Sequence, residues 1–368
     1  MIRTRYFLFC VALLISATSF SQEYKLTHAL KELLGNDNLI KVNIYLSNKA
    51  DIDSLRYTMD KDNVPVKYRP EIVRQFLNDH SLKTQQNVLK IIKEKSAETE
   101  YEQFWIANMI SVKADKDMIA ELSKSENVEF IDVDNSLVVS PVEPKVETPL
   151  SGKSVNGREP GLGAINAPAM WAMGYTGKGR IACSIDTGVW PNHPALRNNF
   201  IGNHYPLKQA WYGYHSDEPV DKTGTHGTHV TGTILGLERA TNDTIGVAFD
   251  AYYIATDPVA TSLSEAKPLT DFLYAFQWVF NPDGDSTTTD DVPDVLNNSW
   301  GYSVPTDTLL CGGFVAQVFS ALEVAGIACV FSAGNSGPLE QTISSPHHVT
   351  LNEVNSFTVG SINANNSN

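Results

Sequence analysis

The sequence predicts an α/β domain with a mostly parallel sheet, preceded by a smaller α+β domain. From Leu162 onward, short apolar runs alternate with longer helical segments, which is the pattern of buried parallel strands joined by crossover helices. Residues 38–139 instead follow the order strand, helix, strand, helix, strand. Between the two, residues 140–161 are rich in proline, serine and glycine and have no hydrophobic period, so we predict an exposed, easily cleaved linker.

The first 21 residues predict a secretory signal peptide. Two arginines precede an apolar run over residues 6–15, and small residues follow up to a cleavage point before Gln22. The apolar run is too short to span a bilayer. We therefore expect an exported protein, either secreted or held at the cell surface.

The smaller domain, predicted over residues 22–139, is supported by three stretches. Residues 38–50 alternate like a strand, residues 70–98 are charged and helix-like, and residues 104–139 read strand, helix, strand. Together they favour an α+β domain of about 100 residues, a common domain size.

The larger domain, predicted over residues 162–368, is supported by the strands and helices of an open α/β sheet. Each predicted strand ends in polar or glycine-rich sequence, and ligands bind at the carboxyl ends of strands in such sheets. We therefore expect Asp, His, Asn and Ser side chains to converge at that edge. The predicted strands are residues 180–186, 251–256, 293–299 and 326–335, and the predicted helices are residues 269–280 and 312–326.

Charge and cysteine usage narrow the possible functions. The formal net charge is −14, which argues against nucleic-acid binding because that function needs a basic face. Cys183 and Cys329 lie in apolar runs and are predicted to be inert core thiols. No Cys-x-x-Cys pattern supports a zinc site.

Asp186 and His226 are the first candidates for chemistry. Asp186 ends an apolar strand, so its carboxylate should be partly buried and needs a partner. His226 stands at the predicted start of a helix, with Gly224 and Gly227 close by that permit close approach of the chain. An aspartate that accepts from one ring nitrogen fixes the tautomer and leaves the other nitrogen as a base.

A second histidine, His229, follows three residues after His226. Zinc peptidase helices use a spacing of four with an intervening glutamate, and neither feature is present here. We therefore predict no metal site and expect His229 to be a packed or hydrogen-bonded structural residue.

Two further segments have both a functional and a structural interpretation. Asn335 in "FSAGNSGP" could supply amide donors to an oxyanion, or could be a left-handed turn residue. The segment "NNSWG" at 297–301 could bind an extended peptide by strand addition, or could simply pack in the core.

These residues carry a resemblance to the subtilases, the subtilisin-like serine peptidases. "SIDTGV", "HGTHVTGT", "NNSWG" and "FSAGNSGP" occur in the family's order and spacing, over roughly residues 160–368. The segments "FQWVFNPDGD" and "DVLNNSWG" are most similar to the bacillopeptidase F branch. Residues 38–139 resemble, more weakly, the subtilase propeptide, which is an inhibitor and folding chaperone.

The resemblance implies a subtilisin-like three-layer fold, incomplete at the C-terminus, preceded by a ferredoxin-like propeptide domain. It matches Asp186 to the aspartate of the catalytic triad, His226 to the base and Asn335 to the amide of the oxyanion hole. It also implies a zymogen that is matured in the linker. The family positions that bind substrate correspond to Ser299, Trp300, Gly301, Ala333 and Gly334.

The sequence departs from the family pattern in its nucleophile. Subtilases carry a serine in a Gly-Thr-Ser motif downstream of the asparagine, and no Gly-Thr-Ser occurs in these 368 residues. Ser299 and Ser336 are poor substitutes because the family places both in binding segments. We therefore expect the nucleophile beyond the end of this chain, which would be inactive as written. The alternative is an inactive peptide-binding protein of subtilase fold.

A second departure concerns calcium. Some subtilases bind the ion through an aspartate two residues after a histidine matching His193, and that position is Ala195 here. Asp243 lies near another ligand position, but the set is incomplete; calcium is possible but no cofactor is predicted to be required. The expected partners are peptide or protein substrates and the chain's own propeptide, and we expect a monomer without a membrane span.

Overall fold

The computed structural model describes residues 24–35, 38–134, 139–141, 157–221, 225–260, 262–302, 314–343, 345–352 and 355–362. Contacts divide the chain into two compact units. One comprises Met1–Asp51 with Gln75–Asn135, and the other comprises Ile52–Arg74 with Ser136–Asn368. The predicted signal peptide and most of the predicted linker lie outside the described residues.

The helices and strands are numbered here in chain order. The helices are α1 (His28–Leu33), α2 (Ile52–Lys61), α3 (Arg69–Thr84), α4 (Gln86–Lys95), α5 (Lys116–Ser123), α6 (Pro160–Ala164), α7 (Ala167–Ala172), α8 (His226–Leu235), α9 (Leu269–Trp278) and α10 (Phe314–Ala325). The strands are β1 (Ile40–Leu46), β2 (Tyr101–Phe104), β3 (Met109–Ala114), β4 (Val128–Val133), β5 (Val139–Pro141), β6 (Ile181–Ile185), β7 (Trp211–Tyr212), β8 (Leu237–Glu238), β9 (Asp243–Thr244), β10 (Tyr252–Thr256), β11 (Val295–Asn298), β12 (Trp300–Tyr302), β13 (Ala328–Ser332) and β14 (Phe357–Val359).

The first unit is built on a four-stranded sheet in the order β2-β3-β1-β4. Strand β1 lies between β3 and β4 and pairs with both in antiparallel fashion. Its apolar side chains form one core with those of α4 and α5, including Val42, Ile44, Ile92, Leu122 and Ile131. This is the α+β arrangement that the sequence predicts.

The helical stretch predicted over residues 70–98 is divided into α3 and α4 at Gln85. The Gln85 side chain is fully buried, and its amide donates to backbone oxygens of Phe104 and Met109 and to Oδ1 of Asn108. A buried amide needs such partners, and the break places it among them. Helix α2 is a further element that the sequence pattern did not reveal.

The second unit contains a six-stranded parallel sheet in the order β14-β13-β11-β6-β10-β7. It confirms the predicted α/β class, and the four predicted strands correspond to β6, β10, β11 and β13. Cys183 and Cys329 are buried in this sheet as predicted. Burial raises the pKa of both thiols, which keeps them protonated and inert.

The sheet topology brings the candidate residues to one edge. Asp186 follows β6, Ser299 follows β11 and Ala333 follows β13, and these three strands are neighbours in the sheet. Over the described residues, the structure has no helix long and apolar enough to cross a membrane.

Candidate active site

Asp186 and His226 form a buried pair at the carboxyl end of the central strand. Asp186 is 0% exposed and His226, the first residue of α8, is 6% exposed. Nδ1 of His226 lies 2.7 Å from Oδ1 of Asp186. An ionised carboxylate can only accept, so the proton sits on Nδ1 and Nε2 is left as the basic nitrogen.

The Asp186 carboxylate also accepts a hydrogen bond from the backbone of the next residue. The backbone N–H of Thr187 donates to Oδ1 of Asp186 over 2.7 Å. The same oxygen therefore accepts from both the histidine and the main chain. These two bonds fix the orientation of the carboxylate toward His226.

Gly227 lets α8 approach the strand closely enough for this contact. A Cβ atom on Gly227 would lie 2.0 Å from the carbonyl oxygen of Gly188 and 3.2 Å from Cβ of Asp186. Such distances are impossible for a real side chain, so the position requires glycine. The glycine next to His226 therefore has a steric role in forming the pair.

For His229 we predicted a packed or hydrogen-bonded environment, and the packed alternative is wrong. His229 is exposed, and with Trp190, Thr228 and Gly232 it lines a cleft of about 790 Å³. Three residues along a helix bring a side chain to within roughly 60° of the same face, so His229 is next to His226 on α8 but lies at the exposed edge of that face. Among the described residues, no group of three or more His, Cys, Asp or Glu is arranged to hold a metal ion.

The segment Trp300–Tyr302 combines the two interpretations that the sequence left open. The Trp300 side chain is 2% exposed and packs 4.7 Å from Phe272 and 5.5 Å from Phe331, measured between ring centroids. The backbone forms β12, which pairs antiparallel with β5 and sets Gly301 opposite Ser140. The Trp300 side chain is therefore part of the core, while the backbone edge of β12 pairs with the extended segment β5.

Ser299, Ala333, Gly334 and Asn335 lie in turns that follow neighbouring strands. Oγ of Ser299 is 3.1 Å from the amide nitrogen of Asn297, and the Ala333 N–H donates to the carbonyl of Val359 over 2.9 Å. Gly334 has the positive φ of +85°, so the left-handed turn residue is the glycine and not Asn335. Asn335 itself is exposed.

Three polar residues near these segments escaped the sequence interpretation. Asp221 and Thr187 hydrogen-bond to each other beside the Asp186–His226 pair. His347 is buried, and its Nε2 lies 2.6 Å from the carbonyl oxygen of Trp300, so it stabilises the position of the first residue of β12. Burial lowers the pKa of His347, which favours the neutral ring that donates this bond. Asp221 precedes a recognisable motif and could have been singled out; His347 has no local signal.

Comparison with known proteins identifies the family. A model of the subtilase family matches residues 177–368. This chain belongs to the subtilase family. Bacillopeptidase F of Bacillus subtilis (strain 168) is 33% identical over 270 residues, which cover 69% of this chain and 18% of that protein. The resemblance drawn from the four motifs is thus confirmed.

Two other relatives of this subtilase come from the same organism. Minor extracellular protease Vpr is 29% identical over 295 residues, covering 72% of this chain and 31% of the relative. Major intracellular serine protease is 30% identical over 212 residues, covering 56% of this chain and 59% of the relative. The chain therefore spans less than two thirds of the length of each of these three relatives.

Proposed function

We propose that this chain is part of a secreted serine endopeptidase, made as a zymogen, in which His226 is the general base and Asp186 orients it. The observation that carries the proposal is the 2.7 Å contact between Nδ1 of His226 and Oδ1 of Asp186 in a buried site. The nucleophile is a serine that the family pattern puts downstream of Asn335, outside these 368 residues.

The proposed chemistry follows from the tautomer of His226. Nε2 takes the proton from the serine hydroxyl as its oxygen attacks the scissile carbonyl, and the imidazolium so formed is stabilised by the Asp186 carboxylate. The same proton then passes to the leaving amine. The Asn335 amide donates to the oxyanion of the tetrahedral intermediate, where a preorganised donor acts most strongly.

The proposed substrate site is the backbone edge of β12 that β5 occupies, together with the segment at Ala333 and Gly334. Strand addition gives affinity through main-chain hydrogen bonds and is tolerant of side-chain identity. The antiparallel pairing of β5 with β12 supports this role, because β5 is an extended segment bound as a substrate would be. Ser299, Trp300 and Gly301 then line the side-chain pocket beside the scissile bond.

The same pairing supports a zymogen. Strand β5 lies at the boundary between the predicted propeptide (residues 22–139) and the linker, and it occupies the edge that substrate needs. In the second unit, α2 also contacts α10, with Arg56 and Glu323 joined by an ion pair of 2.9 Å. We propose that the upstream region inhibits the enzyme and assists its folding until the linker is cut, and that the signal peptide directs export.

The proposal is tested by labelling the protein secreted from the native gene with a serine-directed fluorophosphonate. We expect one labelled serine, in a Gly-Thr-Ser sequence, together with hydrolysis of a peptide substrate. The matched control is His226→Ala, which should secrete and fold but label very slowly. Absence of label in the native protein, in spite of folding, would contradict an endopeptidase.

A second candidate is a peptide-binding protein of subtilase fold without turnover. It is favoured by a β12 edge that binds an extended segment. Calorimetry with a peptide corresponding to residues 136–142 distinguishes the two. Binding without cleavage of any peptide in a library supports the second candidate.

A further inference from the structure

Asp221 lies beside the Asp186–His226 pair and hydrogen-bonds to Thr187 and Thr228, which are close to the members of the pair in sequence. We infer that Asp221 is a positioning residue that fixes the first turn of α8, and through it His226, against Asp186. The inference rests on the proposed function, since it assigns a role in orienting the proposed base. It is carried by a chain of hydrogen bonds and by close backbone packing.

The first turn of α8 is capped from outside the helix. A helix leaves its first N–H groups without internal partners, and the N-cap residue Thr225 makes no side-chain cap bond. The Gly227 N–H donates to Oγ1 of Thr187 over 2.9 Å, and the Thr228 N–H donates to Oδ2 of Asp221 over 2.8 Å. Both residues next to His226 on the helix side are thus held by the Thr187–Asp221 group.

The direction of each bond is set by the carboxylate. The ionised Asp221 side chain has no proton to give, so Oγ1 of Thr187 donates to its Oδ1 over 2.7 Å, and Oγ1 of Thr228 donates to its Oδ2 over 2.6 Å. The Thr187 hydroxyl oxygen in turn accepts from the Gly227 N–H. A negative charge at the start of a helix is also favourable because it faces the positive end of the helix dipole.

Backbone packing anchors Asp221 to the strand that carries Asp186. Gly188 has a φ of +109°, and a Cβ atom there would lie 2.1 Å from the carbonyl oxygen of Val220, the residue before Asp221. The turn after Asp186 and the loop before α8 are therefore in direct main-chain contact. Because its carboxylate accepts from the Thr228 N–H, Asp221 connects this contact to the first turn of α8.

The pKa of Asp221 is raised by burial and by the nearby Asp186 charge, while the donors Thr228 and Thr187 oppose that rise. A half-buried carboxylate next to a second carboxylate is costly unless donors satisfy it. Three of the bonds given above end on the Asp221 carboxylate and use both of its oxygens, so the arrangement is specific rather than incidental.

The test measures the tautomer of His226 in the full 368-residue chain labelled with 15N-histidine. Long-range proton–nitrogen spectra identify which ring nitrogen carries the proton, and His226→Gln assigns the signal. We expect native His226 to be protonated at Nδ1. Asp221→Ala should give a mixture of tautomers, and the Gly227 and Thr228 amides should exchange with solvent roughly five- to tenfold faster through loss of a cap.

Matched variants distinguish a positioning role of Asp221 from an effect of net charge or of misfolding. Asp217→Asn removes the same charge from an exposed residue of the same loop and should leave the His226 signal unchanged. Should Asp221→Ala fail to fold, Thr187→Val removes the same relay at constant volume and should have the same effect, while Thr187→Ser should restore the native spectrum.

The outcomes distinguish this inference from the proposed function. A native His226 that is not protonated at Nδ1 contradicts the proposed base, whatever the role of Asp221. A native Nδ1–H signal that survives in both Asp221→Ala and Thr187→Val overturns the positioning role and leaves the proposed function intact. An equal change in Asp217→Asn also overturns it, because the effect would then be one of net charge.

Discussion

Asp186 and Asp257 follow neighbouring parallel strands at the same level of the sheet, yet their surroundings differ. The register pairs Ile185 with Thr256, the residues just before the two aspartates, and both side chains are 0% exposed. Oδ1 of Asp186 accepts from His226 and from a backbone N–H. Asp257 accepts from the backbone N–H groups of Tyr214 and His215. Of the two carboxylates, Asp186 therefore accepts from a histidine side chain and Asp257 accepts from backbone groups.

The two surroundings suit different tasks. Burial raises the pKa of Asp257 to about 7, although its backbone donors and the charge of Lys267 oppose the rise. Lys267 also donates to the carbonyl of Tyr214 over 2.9 Å. Asp257 therefore holds a loop against the sheet, whereas Asp186 orients the proposed base His226.

Neutralising each aspartate in turn separates the role of the histidine partner from that of the position in the sheet. In the secreted gene product, Asp186→Asn should lower kcat on a chromogenic peptide by about 10⁴, because the amide favours the wrong histidine tautomer; the figure is that of other serine peptidases. Asp257→Asn should keep kcat within a few-fold. Similar losses in both variants would show that sheet position, and not the histidine partner, matters.

A third strand end extends the comparison to Asn335. Asn335→Ala should lower kcat by about 10²–10³ with little change in KM, because its donor acts on the transition state; the magnitude is one measured in a subtilisin. Steady-state kinetics of the secreted protein measure both constants. A rise in KM at constant kcat would instead make Asn335 a substrate-binding residue.

Asp257 should make the free energy of unfolding depend on pH. Its folded pKa of about 7 exceeds the unfolded value of about 3.9, so the folded state binds more protons between those pH values. The Asp257 contribution to stability is therefore lost as pH rises from about 4 to about 7. Asp257→Asn should remove a cost on the order of a few kcal/mol at pH 8.

Urea unfolding of the native chain and the Asp257→Asn variant at pH 4 and pH 8 measures this difference. We expect the variant to gain stability relative to the native chain between the two pH values. A difference that is the same at both pH values would mean that Asp257 is ionised in the folded protein without cost.

The sequence predicted the fold of the second unit and the Asp186–His226 pair for different physical reasons. Buried parallel strands are continuous apolar runs, so β6, β10, β11 and β13 stand out. Asp186 and His226 were recoverable because glycines and motif order accompany them. Asp257 also ends an apolar run, in "YYIATD", and nothing local distinguishes it from Asp186.

What the sequence could not reveal depends on contacts between distant segments. Asp221 acts on α8 through Thr187, 34 residues away, and His347 reaches Trp300 across 47 residues. His229 was predicted to be packed or hydrogen-bonded, and its side chain is exposed; a local pattern does not determine how much of a helix face the neighbouring segments cover. These properties are set by packing, which a single sequence does not encode in a local pattern.

We propose that His226, and not its neighbour His229, is the base of a peptidase site. The direct measurement is kcat on one peptide substrate for the secreted gene product carrying His226→Ala or His229→Ala. We predict a loss of about 10⁶ for His226→Ala, the size found for the equivalent change in a subtilisin, and a change within a few-fold for His229→Ala. Equal losses in the two variants, or full activity of His226→Ala, would contradict the claim.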